Sequence, residues 1–153
     1  MMRSSTPERF GTLPCAYYLF LNPSIQRRYT RCPRCDKTTQ LRRLGFVFHL
    51  ESCGLVTVGA TSRICSPCKL IILHQDVVED SLSLMFPENF DQFGPEERLQ
   101  YYTPIGTLHR RAWNKAKKGE TLTYLDLQHN TSDFKDYVFF PHASSTPYLP
   151  GMG

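Results

Sequence analysis

The apolar–polar pattern is clearest between residues 38 and 73. The stretch "TTQLRRLGFVFHLE" is rich in β-branched and aromatic residues and reads as a strand, with Gly45 as a bulge or bend. "GLVTVGATSRI" reads as a second strand, because Val56 and Val58 alternate with Thr57. Ser52-Cys53-Gly54 lies between them and suits a hairpin turn. Leu70 to Leu73 make a third apolar run. Beyond it the period lengthens: Val77, Val78, Leu82 and Met85 recur at helical spacing. Asp76 and Glu79 stand three apart, as in a capping box, and Pro87 predicts the end of that helix.

The flanks are less regular. Upstream, "LPCAYYLFLNPS" is an aromatic segment stopped by Asn22-Pro23, which predicts a short strand or anchor. Downstream, "PENFDQFGPEERLQYYTP" reads as an acidic, aromatic loop. Residues 105–108 predict a brief strand, 109–118 a basic helix ended by Gly119, Thr121 to Gln128 a short helix, and "FKDYVFF" a closing strand. Residues 1–12 read as a frayed start, and 141–153, rich in Pro, Ser and Gly, as a flexible tail.

The candidate chemistry sits at the outer ends of the predicted hairpin. Cys32-Pro33-Arg34-Cys35 and Cys65-Ser66-Pro67-Cys68 are two Cys-x-x-Cys pairs, and residues 36–64 between them suffice for two strands and a turn. Zinc takes four ligands in a tetrahedron, and a Cys-x-x-Cys turn offers it two thiolates. Such a turn folds back sharply, which suits Pro33 and Pro67 beside the ligands. It also favours a left-handed residue just after the second Cys, where this chain has Asp36 and Lys69 rather than Gly. A thioredoxin-like redox pair would need one such motif in a βαβ setting. We therefore expect one structural zinc ion held by Cys32, Cys35, Cys65 and Cys68, substituting for missing core at the hairpin base. Cys15 and Cys53 read as incidental, and His49 and His74 are not needed as ligands.

The expected architecture is a single domain over 1–153, of α+β class. Its core at 13–86 is a zinc ribbon, an antiparallel hairpin with two Cys knuckles, followed by a helix. A C-terminal helix–strand addition spans 105–140, and the tail 141–153. The segments "FLNP", "RYTRCPRCDKTTQLRRLGFVFHL" and "TSRICSPCKLII" resemble a group of small, largely uncharacterised bacterial zinc-ribbon proteins. The resemblance covers roughly residues 17 to 86 and, more loosely, "GTLHRRAWNKA". It implies the same four cysteine ligands and no particular activity. Asp36 departs from the glycine common at that position.

Charge changes the picture further. The net charge of +4 is unevenly spread: residues 1–75 hold eleven Lys and Arg against three acids, and 76–108 one base against seven acids. Arg27, Arg28, Arg31, Arg34, Lys37, Arg42 and Arg43 crowd the first Cys pair and its strand. Arg110 and Arg111 begin a second basic group, with Lys115, Lys117, Lys118 and Trp113. Basic groups interleaved with aromatics suit nucleic acid. The alternative is a protein–protein adaptor in which the ribbon is a rigid platform with strand edges open to a partner. A hydrolytic enzyme fits less well: His109, His129, His142 and Asp133 share no catalytic spacing. No run approaches ~18 apolar residues, and "LPCAYYLFLNP" lacks a signal-peptide cleavage site. The expectation is a cytoplasmic protein without membrane association, its oligomeric state open.

Overall fold

The computed structural model describes residues 9–140, the side chains of Pro95 and Glu96 excepted. The expectations for residues 1–8, for the 141–153 tail and for His142 lie outside them. Six strands form one mixed sheet: β1 (Tyr18–Asn22), β2 (Gln40–Leu50), β3 (Gly54–Cys65), β4 (Leu70–His74), β5 (Tyr102–Leu108) and β6 (Thr131–Asp133). Their spatial order is β1-β4-β3-β2-β5-β6. The helices among the described residues are α1 (Gln75–Met85), α2 (Pro87–Phe90), α3 (Pro95–Tyr101), α4 (Arg110–Lys117) and α5 (Tyr124–Asn130). None is long and apolar enough to cross a membrane.

The expected hairpin is β2 and β3, paired without interruption from Gln40↔Ile64 to Leu50↔Gly54. Gly54 takes φ +84°, a left-handed value that glycine adopts freely. β4 runs antiparallel to β3, and β1 lies parallel to β4 from Tyr18↔Leu70 to Asn22↔His74. The "FLNP" segment is thus a strand of the same sheet. β5 pairs with the other edge of β2, so residues 105–140 share the sheet of the hairpin.

Several expectations change. Residues 87–101 are not a loop but two short helices, each with proline in its first turn, where the missing N–H costs nothing. They fold because Phe90 and Tyr101 are buried in the core. The Asp76–Glu79 capping box does not form: α1 starts after His74 with no side-chain cap. Asp76 instead pairs with Arg28, and buried Glu79 accepts hydrogen bonds from Tyr102 Oη at 2.8 Å and Gln75 Nε2 at 2.9 Å. Gly45 is no bulge in β2. The irregularity falls opposite Val47 and Phe48, where β5 skips from Gly106 to Pro104, a residue with no N–H for the ladder. Gly45 faces Gly59 across the hairpin, and the Trp113 indole lies over both. A Cβ on Gly45 would come 2.7 Å from that ring, and one on Gly59 2.4 Å.

The predicted closing strand over 134–140 is displaced. The strand proper is Thr131–Asp133, and the chain after it runs to the opposite edge of the sheet. Phe134 N–H donates to Ile105 O on β5, while Lys135 N–H donates to Tyr17 O and Val138 N–H to Leu19 O beside β1. The sheet therefore curls, and residues 131–138 join its two outer strands. Even-numbered residues of β2 and β3 point inward, where Phe46, Phe48, Leu50, Val58 and Ala60 pack with Leu19, Ile71, Leu73 and Phe134. α1, α2 and α3 cover this core with Val78, Leu82, Phe90 and Tyr101. Two smaller clusters lie on the outer face. One joins Phe20, Tyr29, Leu70 and Ile72 to Cys32 and Cys65; the other joins Val47, Leu108, Ala112 and Leu127, with Trp113 against it.

Candidate metal centre

Each Cys-x-x-Cys pair is a tight turn between chain segments that the sheet holds in place. The first lies ahead of β2, where Cys32 N–H donates to Lys37 O at 2.8 Å and Asp36 N–H to Cys32 O at 2.9 Å. The second links β3 to β4, with Lys69 N–H donating to Ser66 O at 3.2 Å. The residue after each pair is left-handed: Asp36 has φ +68° and Lys69 φ +53°. This is the conformation that the spacing requires, reached here without glycine. In the first turn the Arg34 N–H also points at Cys32 Sγ, 3.3 Å away.

The two turns bring four sulfurs together. The Sγ atoms of Cys32, Cys35, Cys65 and Cys68 all lie within 4.8 Å of one another. Cys35 and Cys65 are 3.5 Å apart, and Cys32 and Cys68 4.0 Å. A disulfide bond is ~2.05 Å long, and all six cysteines are free. A tetrahedral thiolate site with metal–sulfur bonds of ~2.3 Å has edges of about 3.8 Å, so the group fits one metal ion of radius and softness suited to sulfur. Cys32 and Cys65 are buried, while Cys35 and Cys68 are half-buried. The Lys37 backbone N–H lowers the Cys35 thiol to about 7. Burial, ahead of the neighbouring thiols, raises Cys65 and pushes Cys68 up to about 12. A cation among the sulfurs favours the thiolate form of all four. Cys15 and Cys53 are not part of this group; Cys53 is exposed at the far turn of the hairpin.

The structure disperses part of the predicted basic group. Arg28 is committed to a two-pronged pair with Asp76, at 2.9 and 3.1 Å. Its guanidinium holds the Asp76 carboxyl below the usual range. Arg27 lies over the Tyr29 ring, 5.9 Å from its centroid. Arg31 donates to Asp36 O at 3.0 Å. Arg42, on the inward-facing register, turns to Gln40 Oε1 at 2.8 Å. Arg34 and Lys37 stay exposed on the first knuckle, Arg34 lying 6.0 Å from the Tyr18 ring centroid. Arg43 is exposed on the outer face, the face that carries Cys65, α4, Arg110 and Arg111. Arg63 belongs here too: it lies on the outer register of β3 and donates to Thr39 Oγ1 at 3.3 Å. The alternation of β3 carried that information, because Arg63 is two residues from Cys65. His109 caps α4, its Nδ1 accepting from Arg111 N–H at 3.0 Å, and Asp133 accepts from the N–H groups of Phe10 and Gly11. These two candidates for catalysis are thus engaged in separate structural bonds.

No protein-family model, curated protein or solved structure matches the chain.

Proposed function

We propose that the four cysteines hold one structural zinc ion between two ribbon-type knuckles, and that the sheet beside them binds nucleic acid. The observation that carries the reading is the distribution of charge. β2, β3 and α4 contain no Asp or Glu, and among the described residues the carboxylate pairs of this region are Arg28–Asp76 and Arg31–Asp36. Arg34, Arg43, Arg110 and Arg111 are left facing solvent around the knuckles and α4. Of the acids between residues 76 and 108, Asp76 is taken by Arg28, whereas Glu79, Asp80, Glu88 and Glu97 sit on the helices that cover the inner core. A predominantly basic face attracts a polyanion and steers its approach; Glu120 and Asp126 lie beside Lys115, toward the end of α4. Zinc fits because the donor set is four thiolates at tetrahedral spacing; with four protein ligands no position remains for a substrate, so its role in this reading is structural.

An adaptor working by strand addition needs an open edge. Residues 135–138 occupy the outer side of β1, and Leu13 bridges to Ser132 beside β6. This favours the basic face over the sheet edges as the contact surface.

Elemental analysis should give one zinc per chain, lost in Cys65→Ser. Affinity for DNA or RNA should fall by roughly 20- to 150-fold between about 50 and 200 mM salt, as expected for three or four phosphate contacts. Retention that ignores salt, or a stoichiometric protein partner that survives nuclease treatment with no nucleic-acid binding, would refute the proposal.

A further inference from the structure

The outer face of the hairpin has an uncovered stretch with an aromatic group at one end. α4 sits over the Gly45–Gly59 pair through Trp113. The knuckles begin beyond Gln40 and Ile64. Between these landmarks the outward residues are two cross-strand pairs, Arg43 with Thr61 and Leu41 with Arg63. Arg43 and Thr61 are exposed, Leu41 is 55% exposed, and Arg63 is half-buried. Arg43 Nη2 lies 3.2 Å from the point where a Cβ on Gly59 would sit, and Trp113 Cζ2 2.4 Å from it. Guanidinium and indole thus share one glycine floor.

We propose that this strip takes single-stranded nucleic acid, with Arg43 and Arg63 on phosphates and Trp113 as the aromatic wall against which a base stacks. The inference rests on the nucleic-acid reading above and adds strandedness and position. Three features favour a single strand. The floor from Arg43 to Leu41 with its flanks is about four residues long, ~13 Å along the strands, a width for one extended chain. Arg43, Thr61, Leu41 and Arg63 lie on strands of the sheet rather than on a projecting element, and stacking on Trp113 needs a base face, hidden in a duplex and free in a single strand. Arg43 and Arg63 are diagonal neighbours, ~7–8 Å apart, so they can meet successive phosphates while exposed Leu41 and Thr61 lie between them. DNA and RNA share this chemistry.

Trp113 is the only tryptophan in the chain, so its emission reports on the strip directly. The zinc-loaded full chain would be titrated with oligo(dT), oligo(rU) and a blunt DNA duplex of matched charge. Quenching by either single strand, with affinity roughly tenfold or more above that for the duplex, is the expected result, and the tighter strand names the sugar. Trp113→Phe should weaken single-strand binding by a similar factor. Because that ring also packs on the glycines, Thr61→Asp supplies a second test: it places a carboxylate beside Arg43 at an exposed position and should also weaken single-strand binding about tenfold. Salt-sensitive binding to all three probes alike, with unchanged emission and an indifferent Thr61→Asp variant, overturns the strip while leaving the basic-face reading standing. Absence of salt-sensitive binding to every probe overturns both.

Discussion

His74 ends β4 inside the protein, its Nδ1 3.2 Å from Asn22 Nδ2. Asn22 also donates from Nδ2 to Arg27 O and accepts at Oδ1 from Ser24 N–H, so the amide nitrogen faces the ring. The imidazole must accept and is neutral in this arrangement. Burial lowers its pKa, Arg28 and Arg63 push the same way, and Asp76 opposes them. Stability from a lowered His pKa is present above the unfolded value of ~6.5 and is lost as pH falls. Urea unfolding should therefore become easier from about pH 7 to pH 5, by up to ~1.4 kcal/mol per pH unit. His74→Gln should flatten that dependence; an equally steep profile in the variant would contradict it. The contribution of Asp76, whose carboxyl Arg28 holds low, is lost only at more acidic pH. The Asn22–His74 contact spans 52 residues and was invisible in the sequence, where Asn22-Pro23 marked the end of a strand or anchor. Gly45 was misread for the same reason: its meaning depends on Trp113, which belongs to a distant helix. The four cysteines were legible because their spacing is local.

The two knuckles are the elements whose geometry the sequence carried furthest. Both place a non-glycine residue in the left-handed region, Asp36 at φ +68° and Lys69 at φ +53°. Asp tolerates this through its short polar side chain, whereas Lys has no such compensation, and an L-residue there costs roughly 1–2 kcal/mol. Lys69→Gly removes that strain but adds backbone freedom to the unfolded chain, worth about 0.5–1 kcal/mol. The metal-loaded variant should be more stable by roughly 0.5–1 kcal/mol in chemical denaturation, with unchanged metal content; a loss of stability would show that the strain has been misassigned. Elsewhere, hydrophobic period marked β2, β3 and α1, and basic composition with the Gly119 stop marked α4. It failed over 87–101, where helices of four and seven residues are too short for a period to register and are held by aromatic burial rather than propensity.

At the scale of the molecule, the inner core changes what a metal held by the four cysteines would do. The sequence pointed to zinc in place of missing core, yet β2 and β3 carry a buried apolar layer of their own, covered by α1, α2 and α3. Chelation should therefore release the knuckles, residues 29–39 and 65–69, and leave the sheet folded. Amide exchange would show protection lost at Cys32 and Lys69 and kept along β2, with melting lowered by roughly 6–12 °C if the ion contributes ~3 kcal/mol. Global unfolding on chelation would contradict this. The α+β class and the charge segregation were legible from composition and pattern. The curl of the sheet was not, since it depends on hydrogen bonds between residues more than a hundred positions apart.

That closure has a kinetic side. The bond from Lys135 to Tyr17 joins an early strand to one of the last described segments. Such distant pairings fold slowly. On the ribosome β1 must wait with a bare flank until residue 138 has been synthesised, and a chain halted at 130 would expose that flank to other chains. At that stage β1 and β5 both present unpaired edges, the kind of surface through which incomplete chains associate.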